Sequence, residues 1–135
     1  MAHKYQKGST FERELKKKLE SHGFAVIRSA GSHGVDLVAG KKGKKPIVIE
    51  CKSTSKDKYY IPNEDVEKLL EFSKTFDGIP FIALKINRKC LFINPHLLTS
   101  AGKNYALDYE KLCPIALDIK DVAEDSIQKK LDSEM

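Results

Sequence analysis

The 135 residues predict one α/β domain, a central mixed sheet flanked by helices. Two segments repeat their apolar residues at helical spacing, one near the start and one in the middle. Five short β-type runs lie between and after them, each bounded by turn-forming residues. The length agrees, since a domain takes roughly 100–200 residues. The composition, 41% hydrophobic and 32% charged, supports one packed core rather than disorder. The implied order is α-β-β-β-α-β-β-α.

Residues 1–8 are polar and basic and read as a mobile arm ahead of one folded domain over residues 9–135. Ser9 and Glu12 have capping-box spacing, so a helix is predicted to start there. Phe11, Leu15 and Leu19 form its apolar stripe, and Gly23 ends it. Strands are predicted over 24–28, 35–39 and 46–51. The basic tract 40–45, with Lys41, Lys42, Lys44 and Lys45, should be the turn that joins the last two. After a polar stretch through Tyr59 and Tyr60, which read as an amphipathic strand edge, Pro62 should open a second helix. Its face of Val66, Leu70 and Ser73 is flanked by Leu69, Phe72 and Phe76, an apolar arc wider than one core contact needs. Strands over 79–86 and 90–93 follow, joined by a tight turn at 87–89. Residues 94–114 read as irregular, and Asp118 should cap a last helix to about Leu131.

Charge is unevenly distributed. The chain has 24 Lys and Arg against 19 Asp and Glu, net +5. Residues 1–60 carry 14 basic and 6 acidic side chains, net +8; residues 61–135 carry 10 and 13, net −3. Such asymmetry suggests a basic surface for a polyanion such as nucleic acid, although lysines solvated on any surface give the same count. The first residues lack the apolar run of a signal peptide, and no apolar stretch approaches the ~18–20 residues that span a bilayer, so no membrane association is expected. Cys51, Cys90 and Cys113 are odd in number and lack CxxC spacing, which supports neither a disulfide framework nor a zinc knuckle. A reducing, cytoplasmic location is the expectation.

The chemistry concentrates in Gly34-Val35-Asp36-Leu37-Val38 and Ile47-Val48-Ile49-Glu50-Cys51-Lys52. Strand side chains alternate, so Glu50 and Lys52 project together while Ile47, Ile49 and Cys51 share the other face. Asp36 should come near Glu50 across the hairpin, to within a residue or two. Two carboxylates and a lysine suit metal-dependent phosphodiester hydrolysis: hard Mg²⁺ needs only one or two carboxylates beside its waters and the substrate phosphate. A surface ion-pair cluster would use the same residues. Glu12 is equally a capping residue or a helix-borne metal ligand. Arg28 ends a strand where it could hold phosphate, and the loop 29–34, with Gly31 and Gly34, would let backbone approach a substrate.

These residues, in order, resemble the archaeal Holliday-junction resolvases, small dimeric members of the PD-(D/E)XK nuclease superfamily. The resemblance rests on Gly8-Ser9 with Phe11-Glu12-Arg13-Glu14-Leu15, on Gly23-Phe24 with Val26-Ile27-Arg28-Ser29-Ala30-Gly31-Ser32, on Asp36-Leu37-Val38-Ala39-Gly40, and on Glu50-Cys51-Lys52-Ser53. It covers the chain to about residue 95. Val35 departs from the superfamily label, which has proline before the aspartate.

The resemblance implies a restriction-endonuclease-like fold and a structure-selective endonuclease that resolves four-way DNA junctions by paired symmetric nicks, leaving 5′-phosphate and 3′-hydroxyl ends. Glu12, Asp36 and Glu50 would bind Mg²⁺, with Mn²⁺ able to substitute. Lys52 would assist the attacking water, and Ser32 would sit in the loop that shapes cleavage. Lys7, Arg13, Arg28 and the four lysines of the basic turn would contact DNA. Leu69, Phe72 and Phe76 would form the contact of a homodimer. The alternatives are another nuclease of that superfamily, acting on flaps, mismatches or restriction-type sites, or a catalytically silent junction binder.

Overall fold

In the computed structural model the described residues are 2–29 and 34–124, with side chains described from Thr10 onward except at Ala101. Five strands form the main sheet: β1 (Ala25–Arg28), β2 (Leu37–Lys41), β3 (Lys44–Thr54), β5 (Ile79–Ile86) and β6 (Lys89–Ile93), in the spatial order β1-β2-β3-β5-β6. The β3–β5 pair is parallel and the others are antiparallel, so the sheet is mixed. The parallel pairing requires a crossover, and α2 (Asn63–Phe76) supplies it. A second sheet contains β4 (Lys58–Pro62), β7 (Ser100–Ala101) and β8 (Asn104–Asp108), ordered β4-β8-β7. Among the described residues no helix is long and apolar enough to cross a membrane.

Two cores lie on opposite faces of the main sheet. Phe11, Leu15 and Leu19 of α1 (Ala2–Ser21) pack on Ile47, Ile49, Phe81 and Phe92, joined by Val122 of α4 (Ile119–Ala123). On the other face Val66 and Leu69 of α2, with Leu107 of β8 and Leu112 of α3 (Tyr109–Leu112), cover Val48, Ile82 and Leu84. Strands buried on both faces read as continuous apolar runs rather than alternating ones, and Ile47-Val48-Ile49 and Phe81-Ile82-Ala83-Leu84 do so. Ile47, Ile49 and Cys51 do face a core, but the opposite face is equally covered until Glu50 and Lys52 emerge.

Several local expectations change. The first helix begins at Ala2 rather than Ser9, so residues 2–8 continue the helix where the sequence predicts an arm, and Glu12 lies inside the helix instead of serving a capping box. Lys, Gln and Ala sustain helix well, and Gly8 alone costs only about 1 kcal/mol. The basic tract is mostly strand: β2 runs to Lys41 and β3 resumes at Lys44, leaving Lys42 and Gly43 as the turn. Residues 94–114 hold a 3-10 turn (Pro95–Leu97), two strands and α3. Local pattern misses them because β8 pairs with β4, placing Asp108 opposite Lys58. Tyr59 and Tyr60 do lie on an edge strand. Asn87 and Arg88 both adopt positive φ, 48° and 66°, the backbone of a tight hairpin turn. Asp118 caps α4 through a reciprocal capping box with Asp121; the remainder of the predicted last helix lies outside the described residues.

The buried face of α2 is Val66, Leu69 and Ser73. Leu69, expected in a dimer contact, is only 1% exposed and belongs to the monomer's core, because the helix turns that side toward β3 and β5. Phe72 and Phe76 remain 36% and 47% exposed and stack on each other with centroids 5.6 Å apart.

Gly78, between α2 and β5, packs closely against β3. A Cβ there would stand 2.8 Å from Val48 Cγ2 and 3.1 Å from the Pro46 carbonyl oxygen. Gly78→Ala would gain about 0.4–1 kcal/mol by restricting the unfolded chain, but overpacking costs about 1–3 kcal/mol. Net destabilisation is the expected outcome in urea denaturation, and a midpoint at or above wild type would refute the close packing.

Candidate active site

The site forms where β3 leaves the core. Ile49 is fully buried, Glu50 and Lys52 are partly exposed, and their side chains lie on one face of the strand. Asp36 precedes β2, which pairs Leu37 with Ile49, so Asp36 falls beside Glu50 as the sequence implies. Its backbone is tied on both sides: the Asp36 N–H donates to the Ile49 carbonyl (3.1 Å), and the Ser29 N–H donates to the Asp36 carbonyl (2.9 Å). Its side chain is fixed as well, since Oδ2 accepts a 2.7 Å hydrogen bond from the Cys51 N–H. The aspartate is therefore held by the strand that carries the other two groups.

Glu12 reaches this cluster from α1, where Phe11 and Leu15 anchor the helix on the sheet. Its carboxylate interacts with Asp36 and lies 3.6 Å from the Arg28 guanidinium. Glu12 and Glu50 thus converge on Asp36, so that three carboxylates meet, one each from a helix, a strand and a loop end. Their mutual repulsion shows in their titration. Burial, and then the Asp36 charge, raise Glu12 above its ordinary value despite Arg28. Burial and Asp36 push Glu50 to about 8 against the lowering pull of Lys52. Burial likewise pushes the Cys51 thiol well up, so it stays protonated beside the acids.

Lys52 has two acidic partners. Its Nζ lies 3.6 Å from Glu50 and 3.0 Å from Asp65 Oδ2, to which it donates a hydrogen bond. Burial works against its charge, but the Asp65 hydrogen bond and the Glu50 charge outweigh it and raise its pKa, so Lys52 is an ammonium near neutral pH. Asp65 is absent from the residues the sequence singles out. As one of two acids in the first turn of α2 it looks like ordinary helix-dipole complementation. Only the crossover, which sets the start of α2 beside the end of β3, reveals its partner.

The proposed DNA contacts fare unevenly. Arg13 is exposed on α1 next to Glu12, and Arg28 meets the cluster through Glu12. Lys41 is corrected to a structural residue. Its Nζ donates to the carbonyls of His22 (2.8 Å) and Ala123 (3.3 Å) and lies over the Phe24 ring, because the extension of β2 folds it onto the ends of α1 and α4. Lys45 pairs with Asp77 at 3.3 Å. The turn at Lys42 sits six residues along β2 from Asp36, about 20 Å at ~3.3 Å per residue, at the opposite end of the sheet from the carboxylates. Lys42 is exposed there and Lys44 half-buried. Lys7 lies in the helical backbone of α1, and Ser32 lies outside the described residues.

A mixed sheet between helices, with Asp36, Glu50 and Lys52 at the end of a hairpin, defines a restriction-endonuclease-like nuclease core. Comparison with known proteins narrows the class. Residues 3–131 match the family model described as archaeal Holliday junction resolvase (hjc), and the chain belongs to that family. It is 56% identical over 132 residues to the crossover junction endodeoxyribonuclease Hjc of Methanocaldococcus jannaschii, covering 98% of each chain. It is 37% identical over 131 residues to the Hjc of Archaeoglobus fulgidus, covering 92% of this chain and 94% of that one. The 1.6 Å structure of Archaeoglobus fulgidus Hjc, a Holliday junction resolvase, superimposes with a TM-score of 0.80 at 36% identity, covering 87% of this chain and 95% of that one.

Glu50→Gln tests the carboxylate crowding directly. The folded-state pKa of Glu50, about 8, exceeds its ordinary 4.5, so this group withdraws stability as pH rises. The loss is absent below the ordinary value, grows through the window up to about 8, and is constant above it. In EDTA, Glu50→Gln should melt at the wild-type temperature at the acid end of that window and a few degrees higher above it. Equal thermal melts at the alkaline end would contradict the crowding.

Proposed function

We propose that this chain is a crossover junction endodeoxyribonuclease that resolves four-way DNA junctions by metal-dependent phosphodiester hydrolysis, acting in the cytoplasm in DNA recombination and repair. The observation that carries the reading is the convergence of Glu12, Asp36 and Glu50 beside the Lys52 ammonium, in a chain of the resolvase family.

The donor chemistry fits Mg²⁺, with Mn²⁺ as a substitute. Three hard carboxylates meet partly buried, and their repulsion leaves an unmet demand for positive charge. Among the described residues no three acidic, histidine or cysteine side chains close into a ready-made cage. An open set of this kind suits an ion that keeps several waters and takes the rest of its shell from a substrate phosphate. When bound, the ion would activate a water and neutralise charge developing on the phosphoryl oxygens. Asp36 and Glu50 would hold it, with Glu12 completing the shell from α1. Lys52, a cation in its resting state, orients the water or stabilises the negative transition state; it is not a base while Asp65 and Glu50 hold its proton. Arg13 and Arg28 flank the cluster and position the phosphate backbone. The products carry 5′-phosphate and 3′-hydroxyl ends.

Paired symmetric nicks need two such sites. The exposed Phe72–Phe76 stack on α2 is the surface we assign to a homodimer, whose two-fold symmetry would match that of the junction. Leu69, buried in the monomer's core, is not part of this surface.

A supercoiled plasmid extruding a cruciform should be linearised by symmetric nicks in the presence of Mg²⁺. Cutting of plain duplex would favour a flap, mismatch or restriction-type nuclease, and tight binding without cleavage in either Mg²⁺ or Mn²⁺ would leave a silent binder. Asp36→Ala and Glu50→Ala should each lower cleavage roughly 10²–10³-fold while the junction is still bound, the scale of losing one group that stabilises transition-state charge. Near-normal turnover in either would dismantle the metal-site assignment. Replacing Phe72 and Phe76 together with glutamate should halve the mass seen by light scattering and uncouple the two nicks. An unchanged mass would remove α2 from the interface.

A further inference from the structure

The half of the sequence with net negative charge contributes most of a second basic surface. Between α1 and the β5–β6 turn lies a small open cleft lined by Lys18, Lys85, Arg88 and Lys89, with Phe11 and Leu15 as its apolar wall and Cys90 on its strand side. Glu14 is its one acid, and it is engaged: Lys85 Nζ lies 3.1 Å from its carboxylate and packs over the Phe11 ring. Lys89 is steadied by the Tyr109 hydroxyl at 3.1 Å. Among the described residues Lys18 and Arg88 have no acidic partner, so the cleft carries an excess of positive charge that the fold does not use. Its proximity effect reaches the strand, where Lys18 and Lys85 pull down the pKa that burial raises at Cys90.

The cleft is built on α1, the helix that also carries Glu12. Ser53 pairs with Lys85, and Lys85 with Cys90, so the cleft stands two strand spacings from β3, at the same end of the sheet as Lys52. Measured along the sheet this is about 10 Å sideways and about 10 Å along the strand from Glu50. The cleft opens on the α1 face, opposite the Glu50 and Lys52 side chains, and its wall residue Phe11 directly precedes Glu12, the carboxylate that α1 brings to the cluster. The turn at Lys42, by contrast, is at the far end.

We infer that the cleft formed by Lys18, Lys85, Arg88 and Lys89 is a second phosphate-binding site that seats the backbone of one duplex arm of the junction while the scissile phosphate lies at the carboxylates. This inference rests on the nuclease reading above. The ligand is a run of backbone phosphates, because four cations line an open surface against an apolar wall.

The test is the salt dependence of binding to an immobile four-way junction in Ca²⁺ or EDTA. Lys18→Gln and Arg88→Gln should each weaken binding and flatten the plot of log affinity against log salt, since each lost contact removes about 0.9 from the slope. Lys42→Gln should keep the wild-type slope. Thermal melts confirm that the exposed substitutions leave the fold intact. Wild-type slopes in both cleft variants, with the wild-type protein still binding and cutting the junction, overturn the cleft and leave the nuclease reading standing. A lowered slope in Lys42→Gln alone also overturns it, returning the arm to the far turn. Failure of the wild-type protein to bind any junction overturns the nuclease reading and the cleft with it.

Discussion

The pairing of β3 with β5 governs this molecule. It runs in parallel through eight register positions, from Ile47 with Ile79 to Thr54 with Ile86, and it forces the intervening chain to cross over as α2. Three consequences follow from this one constraint. Ile47, Val48 and Ile49 become buried on both faces. The end of the strand emerges at Glu50 and Lys52 between a helix on each side. The start of α2 lands against that end, so Asp65 meets Lys52. The backbone hydrogen bonds that hold the sheet also hold Asp36, through Ile49 and Cys51.

The electrostatics of the site are a standing conflict that the fold tolerates. Three carboxylates are gathered where burial disfavours even one, and Lys52 and Arg28 offset only part of the repulsion. Proteins retain such destabilised clusters at functional sites because the unmet demand for positive charge is what a cation and a phosphate substrate exploit. Lys52 is shared between Glu50 and Asp65, which fixes the ammonium at one point in space. A point charge on a flexible stem needs that restraint more than an arginine fork does.

The distribution of charge has a different meaning in three dimensions from its meaning along the chain. The segment net +8 does contain the carboxylates, Lys52 and both arginines. One of its lysines, Lys41, is used up in tying the ends of α1 and α4, another pairs with Asp77, and the turn stands a sheet's length away. The segment net −3 supplies Lys85, Arg88 and Lys89 beside Lys18 of α1. This basic cleft is assembled by strand order, so charge counted along the sequence describes it poorly.

Strand period and hairpin arithmetic placed Asp36 near Glu50 and put Lys52 on the same face, because alternation and antiparallel pairing are local rules. The order Glu12, Asp36, Glu50, Lys52 carried the resemblance to the junction resolvases, which the family match bears out. The strand β8 was not legible, and β4 only as an edge at Tyr59 and Tyr60, since each is stabilised by a partner more than 40 positions away rather than by its own pattern. Leu69 and Phe72 lie on one apolar arc, and only the packing of α2 on the sheet decides that the first is core and the second is exposed. The same holds for Lys41, for Asp65 and for the cleft at Lys18 and Arg88. The sequence by itself determined which chemical groups were present and which were neighbours along a strand. Tertiary structure alone decided which charges were spent on each other and which were left without an opposite charge, because that depends on distances across the sheet that no local period encodes.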